Sequence, residues 1–383
     1  MNPRLLIVCF NDLKNDARVS RQINFLKDHY NVSVFCYDAY PDPGYELIKI
    51  KKTRLTLLRK AALSVFLMSG LYSVAYRLLY NYHEQADTLS GRDFHIVIAN
   101  DVEALPIARK VAGDKSKIFL DAHEYAPRQF EDRLYWRIFF KRFTLHLCRK
   151  FLPMVHGMST INAGLANAYE TEFNIKPVII TNATHYADVQ PLIRDSYPIR
   201  LVHHGIFTIS RQPDLMIDLM NLLDDRFTLD LIYLIPDSAS QKTRANFKYF
   251  KSKASGTGKI KILPPLKGSE IVSTLHKNYD MGIILVPPVN FNYENGLPNK
   301  LFDCIQARLG MAVGPLREIA NVTIENRIGV VSKDFTAKSL AEALEPLTIE
   351  QVSEFKKNSN AAARRLNAEA NRAILLDALR KIT

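Results

Sequence analysis

The feature that most constrains this chain is an alternation, sustained over most of its length, between short apolar runs and amphipathic stretches. RLLIVCF at 4–10 is followed by the helical DARVSRQINFLKDH at 16–29, and then by NVSVFCY at 31–37. FHIVIAN at 94–100, a helix over 103–111, KIFLDAHE at 117–124, a helix over 159–173 and PVIITNA at 177–183 complete a first series. The apolar runs are continuous rather than alternating, as expected of strands covered on both faces. Strand–helix–strand repeats of this kind predict parallel sheets. The periodicity lapses over THYADVQPLIRDSYP at 184–198, and a second series begins. Its apolar runs lie at 199–205, 227–235, 260–263, 281–287, 311–314 and 329–332, with helices over 213–223 and 268–278 and a basic stretch at 237–259. The tail from 349 to 383 reads as helical. A chain of 383 residues exceeds one core. The expectation is an α/β protein of two Rossmann-like, doubly wound parallel-sheet domains, 1–190 and 198–350. A C-terminal helical segment, 351–383, is free to cross back to the first domain. Ligands of such sheets bind beyond the carboxyl ends of the strands, so a cleft between two facing domains is the expected site.

The formal net charge of +12 predicts an attraction to anions. The basic residues are clustered. KIKKTRLTLLRK spans 49–60, and RIFFKRFTLHLCRK at 137–150 interleaves cations with large apolar side chains. AALSVFLMSGLYSVAY at 61–76 is uncharged but shorter than the roughly 20 residues a spanning helix needs. Helices over 54–82 and 136–152 therefore read as lying on an anionic membrane surface. Cys9, Cys36, Cys148 and Cys304 are too scattered for a metal or redox motif and read as buried reduced thiols. LLIVCF at 5–10 is a first strand rather than a signal peptide. Together these predict a cytoplasmic protein at the inner face of the membrane.

Candidate chemistry collects at predicted strand ends. Asn11 and Asp12 follow the first strand directly, and no GxGxxG fingerprint is present there. Asp16 reads as a helix cap and Arg18 as a solvated or inter-loop partner. Asp121, His123 and Glu124 crowd the end of another strand, where they can bind sugar hydroxyls or polarise a leaving group. In the second series, Gly205 permits close backbone approach at a strand end. Arg211, just ahead of Pro213, is suited to grip a diphosphate in two-pronged fashion. His203 and His204 read as core histidines. Leu263 and Pro264 open a loop whose main chain can read a flat base. In YENGLPNKLFDC at 293–304, Gly296 and Leu297 can offer backbone N–H groups to a phosphate at a helix start. Lys300 adds charge in the first turn, and Asp303, one turn on, can accept from a ribose diol.

In this order the motifs resemble the retaining GT-B glycosyltransferases, and in particular glycosyltransferase family 4. Asp16-Ala17-Arg18-Val19, Asp121-Ala122-His123-Glu124, STINAGLANAY at 159–169, IITNA at 179–183, Gly205 through Arg211, and LPNKLFD at 297–303 carry the resemblance, over about residues 4–345. The resemblance implies GT-B architecture, a nucleotide-sugar donor on the C-terminal domain, and a glycan or lipid-linked acceptor on the N-terminal one. It implies that Arg211 and Lys300 serve the diphosphate, Asp303 the ribose, and that His123 lies near the reacting sugar, with Asn11, Asp12, Asp121 and Glu124 on the acceptor side. It also implies transfer with retention, without a metal or other cofactor. The implied role is surface polysaccharide assembly, in lipopolysaccharide or capsule. The chain departs from the pattern at Asn295, where the family carries an acid, with Glu294 adjacent. It departs also at Ile206 and at Asn11-Asp12. A nucleotide-sugar epimerase or hydrolase on the same scaffold remains an alternative, as does a non-catalytic polyanion binder. The latter lacks the signatures of nucleic-acid modules, so no nucleic-acid partner is expected.

Overall fold

The strands of the first series pair in parallel. β1 (Arg4–Val8), β2 (Asn31–Cys36), β3 (Tyr45–Lys49), β4 (Ile96–Asn100), β5 (Lys117–Ala122), β6 (Gly157–Thr160) and β7 (Val178–Ile179) form one sheet in the order β3-β2-β1-β4-β5-β6-β7. The coordinates are a computed structural model that describes residues 2–53, 55–237 and 239–383; Arg54 of the first basic cluster lies outside them, as do Met1 and Ser238. Leu5, Leu6, Ile7 and Val8 of β1 are fully buried, as their unbroken apolar run requires of a central strand. The helices of this unit are α1 (Ala17–Leu26), α2 (Leu57–Met68), α3 (Tyr72–Tyr80), α4 (Tyr82–Thr88), α5 (Leu105–Ala112), α6 (Leu134–Phe139), α7 (Lys141–Phe151) and α8 (Ala163–Phe173). Asp16 caps α1 by accepting from the N–H groups of Arg18 and Val19, and Val19, Ile23 and Leu26 are buried on the helix's inner stripe.

The second series forms a six-stranded sheet, order β10-β9-β8-β11-β12-β13, from β8 (Ile199–Ile206), β9 (Phe227–Leu234), β10 (Ile260–Leu263), β11 (Met281–Ile284), β12 (Gly310–Val313) and β13 (Gly329–Val331). The helices that follow along the chain are α9 (Asp214–Leu222), α10 (Gln241–Ser255), α11 (Ile271–Asn278), the one-turn α12 (Phe291–Glu294), α13 (Asn299–Gln306), α14 (Arg317–Glu325), α15 (Ala337–Leu344), α16 (Ile349–Ala363) and α17 (Ala368–Ile382). Leu201, Leu229, Leu231, Met281 and Ile283 of the sheet pack against Met216, Met220, Leu340 and Leu344 of the helices. In both sheets the strand order reverses beside a central strand, between β1 and β4 and between β8 and β11. These are the switch points where open α/β sheets place ligands.

The chain divides into two compact units, Met1–Thr181 with Asn290–Asn292 and Asn371–Thr383, and Asn182–Val289 with Tyr293–Ala370. The stretch 182–190, expected in the first domain, thus goes with the second. Arg308 Nη2 donates to the Ala187 carbonyl at 2.6 Å and Ala187 N donates to Gln306 Oε1 at 3.0 Å. The last turns of the tail pack on the first unit, where Asn371 Nδ2 donates to the Thr181 carbonyl at 2.9 Å.

Three local expectations give way. The helix expected over 54–82 is broken into α2, α3 and α4, first at Gly70 with φ +77° and then at Asn81 with φ 49°. The one over 136–152 is two helices meeting at Phe140. The basic stretch 237–259 holds a 15-residue helix, α10, anchored by Phe250 and Ala254. Among the described residues, no helix is long and apolar enough to cross a membrane.

Candidate active site

In the first unit, β1, β4 and β5 bring Asn11, Asp12, Asn100, Asp101, Asp121 and His123 to the carboxyl edge of the sheet, beside its switch point. Asp121 is the hub. Its carboxylate accepts from Arg18 Nη2 at 2.6 Å and Nε at 3.0 Å, from Gln22 Nε2 at 3.0 Å and from Ser159 Oγ at 2.7 Å. Arg18 is therefore not a solvated residue. Its guanidinium also donates to the Ile180 carbonyl at 2.8 Å, tying α1 to the end of the sheet. Burial opposes the charge on Asp121, but Arg18 and His123 outweigh it and hold the carboxyl below the usual carboxylate range. With its oxygens occupied by protein donors, Asp121 orients its neighbours instead of facing an acceptor as expected.

His123 is the group it orients. Nδ1 lies 3.4 Å from Asp101 Oδ2, while Nε2 lies 3.5 Å from Asp121 Oδ2 and 3.3 Å from Asn100 Oδ1. Both ring nitrogens face acceptor oxygens, which suits the doubly protonated imidazolium. Burial pushes its pKa down, but Asp101 and Asp121 outweigh that and raise it to about 9. Asp101 was not legible as a site residue. It sits at φ 65°, a region that costs a non-glycine residue on the order of 1–3 kcal/mol, and its Oδ1 accepts the His123 N–H at 2.9 Å. Burial, together with the charge of Asp101, raises Glu103 to about 8 and Glu124 to about 7. Glu124 Oε2 is buried and has no hydrogen-bond partner among the described residues. Asn11 and Asp12 are exposed. Asn11 Nδ2 donates to Asp16 Oδ2 at 3.0 Å, and Asp12 caps a short 3-10 turn through the Lys14 N–H.

In the second unit, β8 and the start of α13 converge. Lys300 is buried, and its Nζ lies 3.4 Å from His203 Nε2. His203 Nδ1 donates to the Ile283 carbonyl at 2.9 Å, which leaves Nε2 unprotonated and able to accept from Lys300. The two histidines are therefore part of the site rather than inert core. Burial, reinforced by the charge of Lys300, keeps His203 well below the usual imidazole range. Burial, and then the repulsion of Arg211, brings Lys300 down to about 7. Among the described residues, no carboxylate stands within 4 Å of Nζ. Gly205 makes room for this amine. Its φ is +135°, and a Cβ there would lie 3.4 Å from Nζ. Arg211 lines one small pocket with His203 and stands over the Tyr293 ring, 5.9 Å from its centroid. It closes a 3-10 turn, Ile209–Arg211, before α9 rather than lying in the helix's first turn. His204 Nε2 is 3.2 Å from Asp303 Oδ2, so the carboxylate expected to meet a ribose already holds an imidazole.

The turn ahead of α13 needs one correction. Gly296 N donates to the Tyr293 carbonyl at 3.2 Å, because the turn closes on itself, so this N–H is not offered outward as expected. Leu297 is buried and its carbonyl accepts from Asn182 Nδ2 at 3.1 Å. Asn295 is buried and Glu294 exposed. Pro298 precedes α13 and the helix has no side-chain cap, which leaves first-turn N–H groups available beside Lys300. Leu263 ends β10, and Pro264 follows it in the open, at the sheet edge two strands from β8. Among the described residues, no group of three or more His, Cys, Asp or Glu side chains could hold a metal ion.

No family model matches the chain, and a search of curated proteins finds no match. Solved structures do match. A sucrose-phosphate synthase from Thermosynechococcus elongatus superimposes with a TM-score of 0.71 at 11% identity, covering 100% of this chain and 99% of its own. A UDP-forming α,α-trehalose-phosphate synthase from Burkholderia vietnamiensis gives 0.69 at 11%, covering 99% and 100%. HepE of Anabaena, in complex with UDP and glucose, gives 0.64 at 11%, covering 99% and 100%. Identities this low show the fold, and the fold is the Rossmann-like, two-domain GT-B architecture that the sequence resemblance implied.

Proposed function

We propose that this protein is a retaining glycosyltransferase of the family 4 type, which moves a hexosyl or deoxyhexosyl group from a nucleotide-sugar to a glycan or lipid-linked acceptor. The observation that carries the reading is Lys300. It is a buried amine with no carboxylate within 4 Å among the described residues, set against Gly205 at a sheet switch point, and its pKa is depressed by burial and then by Arg211. Two cations that repel each other in this way are unfavourable until an anion joins them. A nucleoside diphosphate meets that need, and the uncapped start of α13 adds the positive end of a helix dipole. The similar structures include a UDP-forming synthase and a complex with UDP and glucose, which supports the same donor class.

In this reading the second domain binds the donor and the first binds the acceptor. The bond from the sugar's anomeric carbon to the diphosphate oxygen breaks as Lys300 and Arg211 stabilise the departing charge. The acceptor oxygen attacks from the same face, and its proton passes to the leaving diphosphate. Asp303, held by His204, is assigned the ribose. Glu124, with its unpartnered oxygen, is assigned acceptor hydroxyls, and the His123 imidazolium the hydroxyls of the transferred sugar. Lys300, Arg211 and the helix end supply the positive charge that metal-dependent enzymes draw from an ion.

The acceptor is assigned to a surface polysaccharide pathway at the cytoplasmic face of a membrane. Exposed Leu57, Leu58, Val65, Met68 and Leu71 of the α2 region, and Leu134, Tyr135 and Ile138 of α6, support membrane contact. The test is turnover of a panel of nucleotide-sugars with and without glycan and lipid-linked acceptors, with the product anomer read by proton NMR and EDTA present throughout. Acceptor-dependent product with the donor's anomeric configuration is expected. Inversion, a requirement for added metal, or free sugar as the main product would overturn the reading.

A further inference from the structure

Helices α3, α5 and α7 of the first domain leave a cavity of about 580 Å³ between them. It lies away from the His123 cluster. α5 and α7 each lead into the start of the next strand, so their C-terminal turns, which carry Lys110 and Lys150, sit at the amino edge of the sheet. The wall is aromatic, with Tyr72, Tyr76 and Tyr82 along it, and the rim is cationic, with Arg77, Lys110 and Lys150 around it. Among the described residues, none of these three cations has a carboxylate within 4 Å. Arg109 and Asp114 also line the cavity, but they pair with each other at 2.8 Å. Burial, and then Lys150, pushes the pKa of His146 down, so it brings no charge at neutral pH.

Cations in the last turn of a helix have an ordinary use, which is to complement the helix dipole, so the balance matters. Four cations less one carboxylate leave three positive charges. Two helix C-termini, each equivalent to about half a negative charge, remove about one. Roughly two positive charges remain over a tyrosine-lined cavity, which matches the charge of a phosphate monoester or diphosphate attached to an apolar body.

We propose that this cavity binds the phosphate head of an anionic lipid. The surroundings argue for lipid over a free phosphate. α2 packs on α3 and α6, and it presents Leu57 and Leu58 at 83% and 85% exposure. The sequence has no acid between Glu46 and Glu84, nor between Asp132 and Glu170. These are the two segments that supply α2, α3, α6 and α7, so the fold gathers both acid-free stretches around one cavity and one apolar face. The head would sit among Arg77, Lys110 and Lys150 while the chains lie along α2 and α6. The proposal deepens the membrane part of the function above and rests on it.

The experiment uses the full chain and a water-soluble probe, dihexanoyl phosphatidic acid, titrated by calorimetry. Dihexanoyl phosphatidylcholine and inorganic phosphate serve as comparisons. One-to-one binding of the phosphatidic acid is expected, at least tenfold tighter than either comparison. Lys110→Gln with Lys150→Gln should weaken it roughly thirtyfold, from two cations at a lipid surface. Both lysines are exposed, so the double variant should fold. Arg59→Gln with Lys60→Gln, exposed on α2 but outside the cavity, should leave the binding constant unchanged. The proposal fails if phosphatidic acid does not bind, if inorganic phosphate binds equally well, or if the cavity variant binds like the parent. The UDP-induced rise in melting temperature is recorded on the same samples. UDP response without lipid binding sinks this site alone, whereas loss of the UDP response in the parent sinks the donor reading.

Discussion

Binding of a nucleoside diphosphate should be coupled to proton uptake by Lys300. In the free protein the amine is brought from 10.5 to about 7, first by burial and then by Arg211. At about 1.36 kcal/mol per unit, holding it charged costs on the order of 5 kcal/mol, which a diphosphate beside it would offset. Binding raises the pKa, so affinity is full below about pH 7 and is lost as the pH rises toward the bound value. If the bound amine returns to its ordinary range, UDP should bind roughly fiftyfold more weakly at pH 9 than at pH 7. At pH 8, binding should take up about 0.9 proton per site. Calorimetry in buffers of different ionisation enthalpy measures that uptake directly. The adjacent His203 stays neutral across this range and does not confuse the signal. Lys300→Met should bind more weakly and lose the pH dependence. An affinity flat from pH 7 to 9, with no proton uptake at pH 8, would refute the reasoning.

Three further outcomes follow from the geometry. Asp121→Asn removes the charged partner of a part-buried Arg18 and should lower stability by about 3 kcal/mol in urea unfolding; a loss under 1 kcal/mol would contradict its place as the hub. Gly205→Ala must hold φ near +135° with a methyl against Lys300, so it should cost about 1–3 kcal/mol and abolish the UDP response, and unchanged UDP affinity would contradict the packing. The His123 pKa is raised from 6.5 to about 9, so its contribution is full below pH 6.5 and lost as the pH rises through 9. His123→Gln should therefore destabilise by about 3 kcal/mol at pH 6 and by little at pH 9.5, and an equal loss at both would exclude the imidazolium.

The parts of the fold legible in the sequence are those where burial on both faces leaves an unbroken apolar run. IKIL at 260–263 is β10 to the residue, and LVHH lies within β8. β3 was not legible, because only Ile48 of Tyr45–Lys49 is buried, so the strand has no unbroken apolar run. α10 was hidden for a similar reason, with Phe250 and Ala254 its buried anchors. In the candidate site, position at strand ends singled out His123, Arg211 and Lys300. The pairings within the site escaped notice because they join segments far apart in the chain. Arg18 meets Asp121 across 103 residues, and Lys300 meets His203 across 97. Asp101 carried no signal at all, since nothing in a sequence marks an aspartate as adopting a left-handed φ.

The central claim is that Lys300 and Arg211 jointly receive a diphosphate beside Gly205. Crystals grown with UDP test it most directly. The account predicts phosphate oxygens within hydrogen-bonding distance of both Lys300 Nζ and the Arg211 guanidinium. A nucleotide bound elsewhere, or one whose phosphates touch neither side chain, would contradict it.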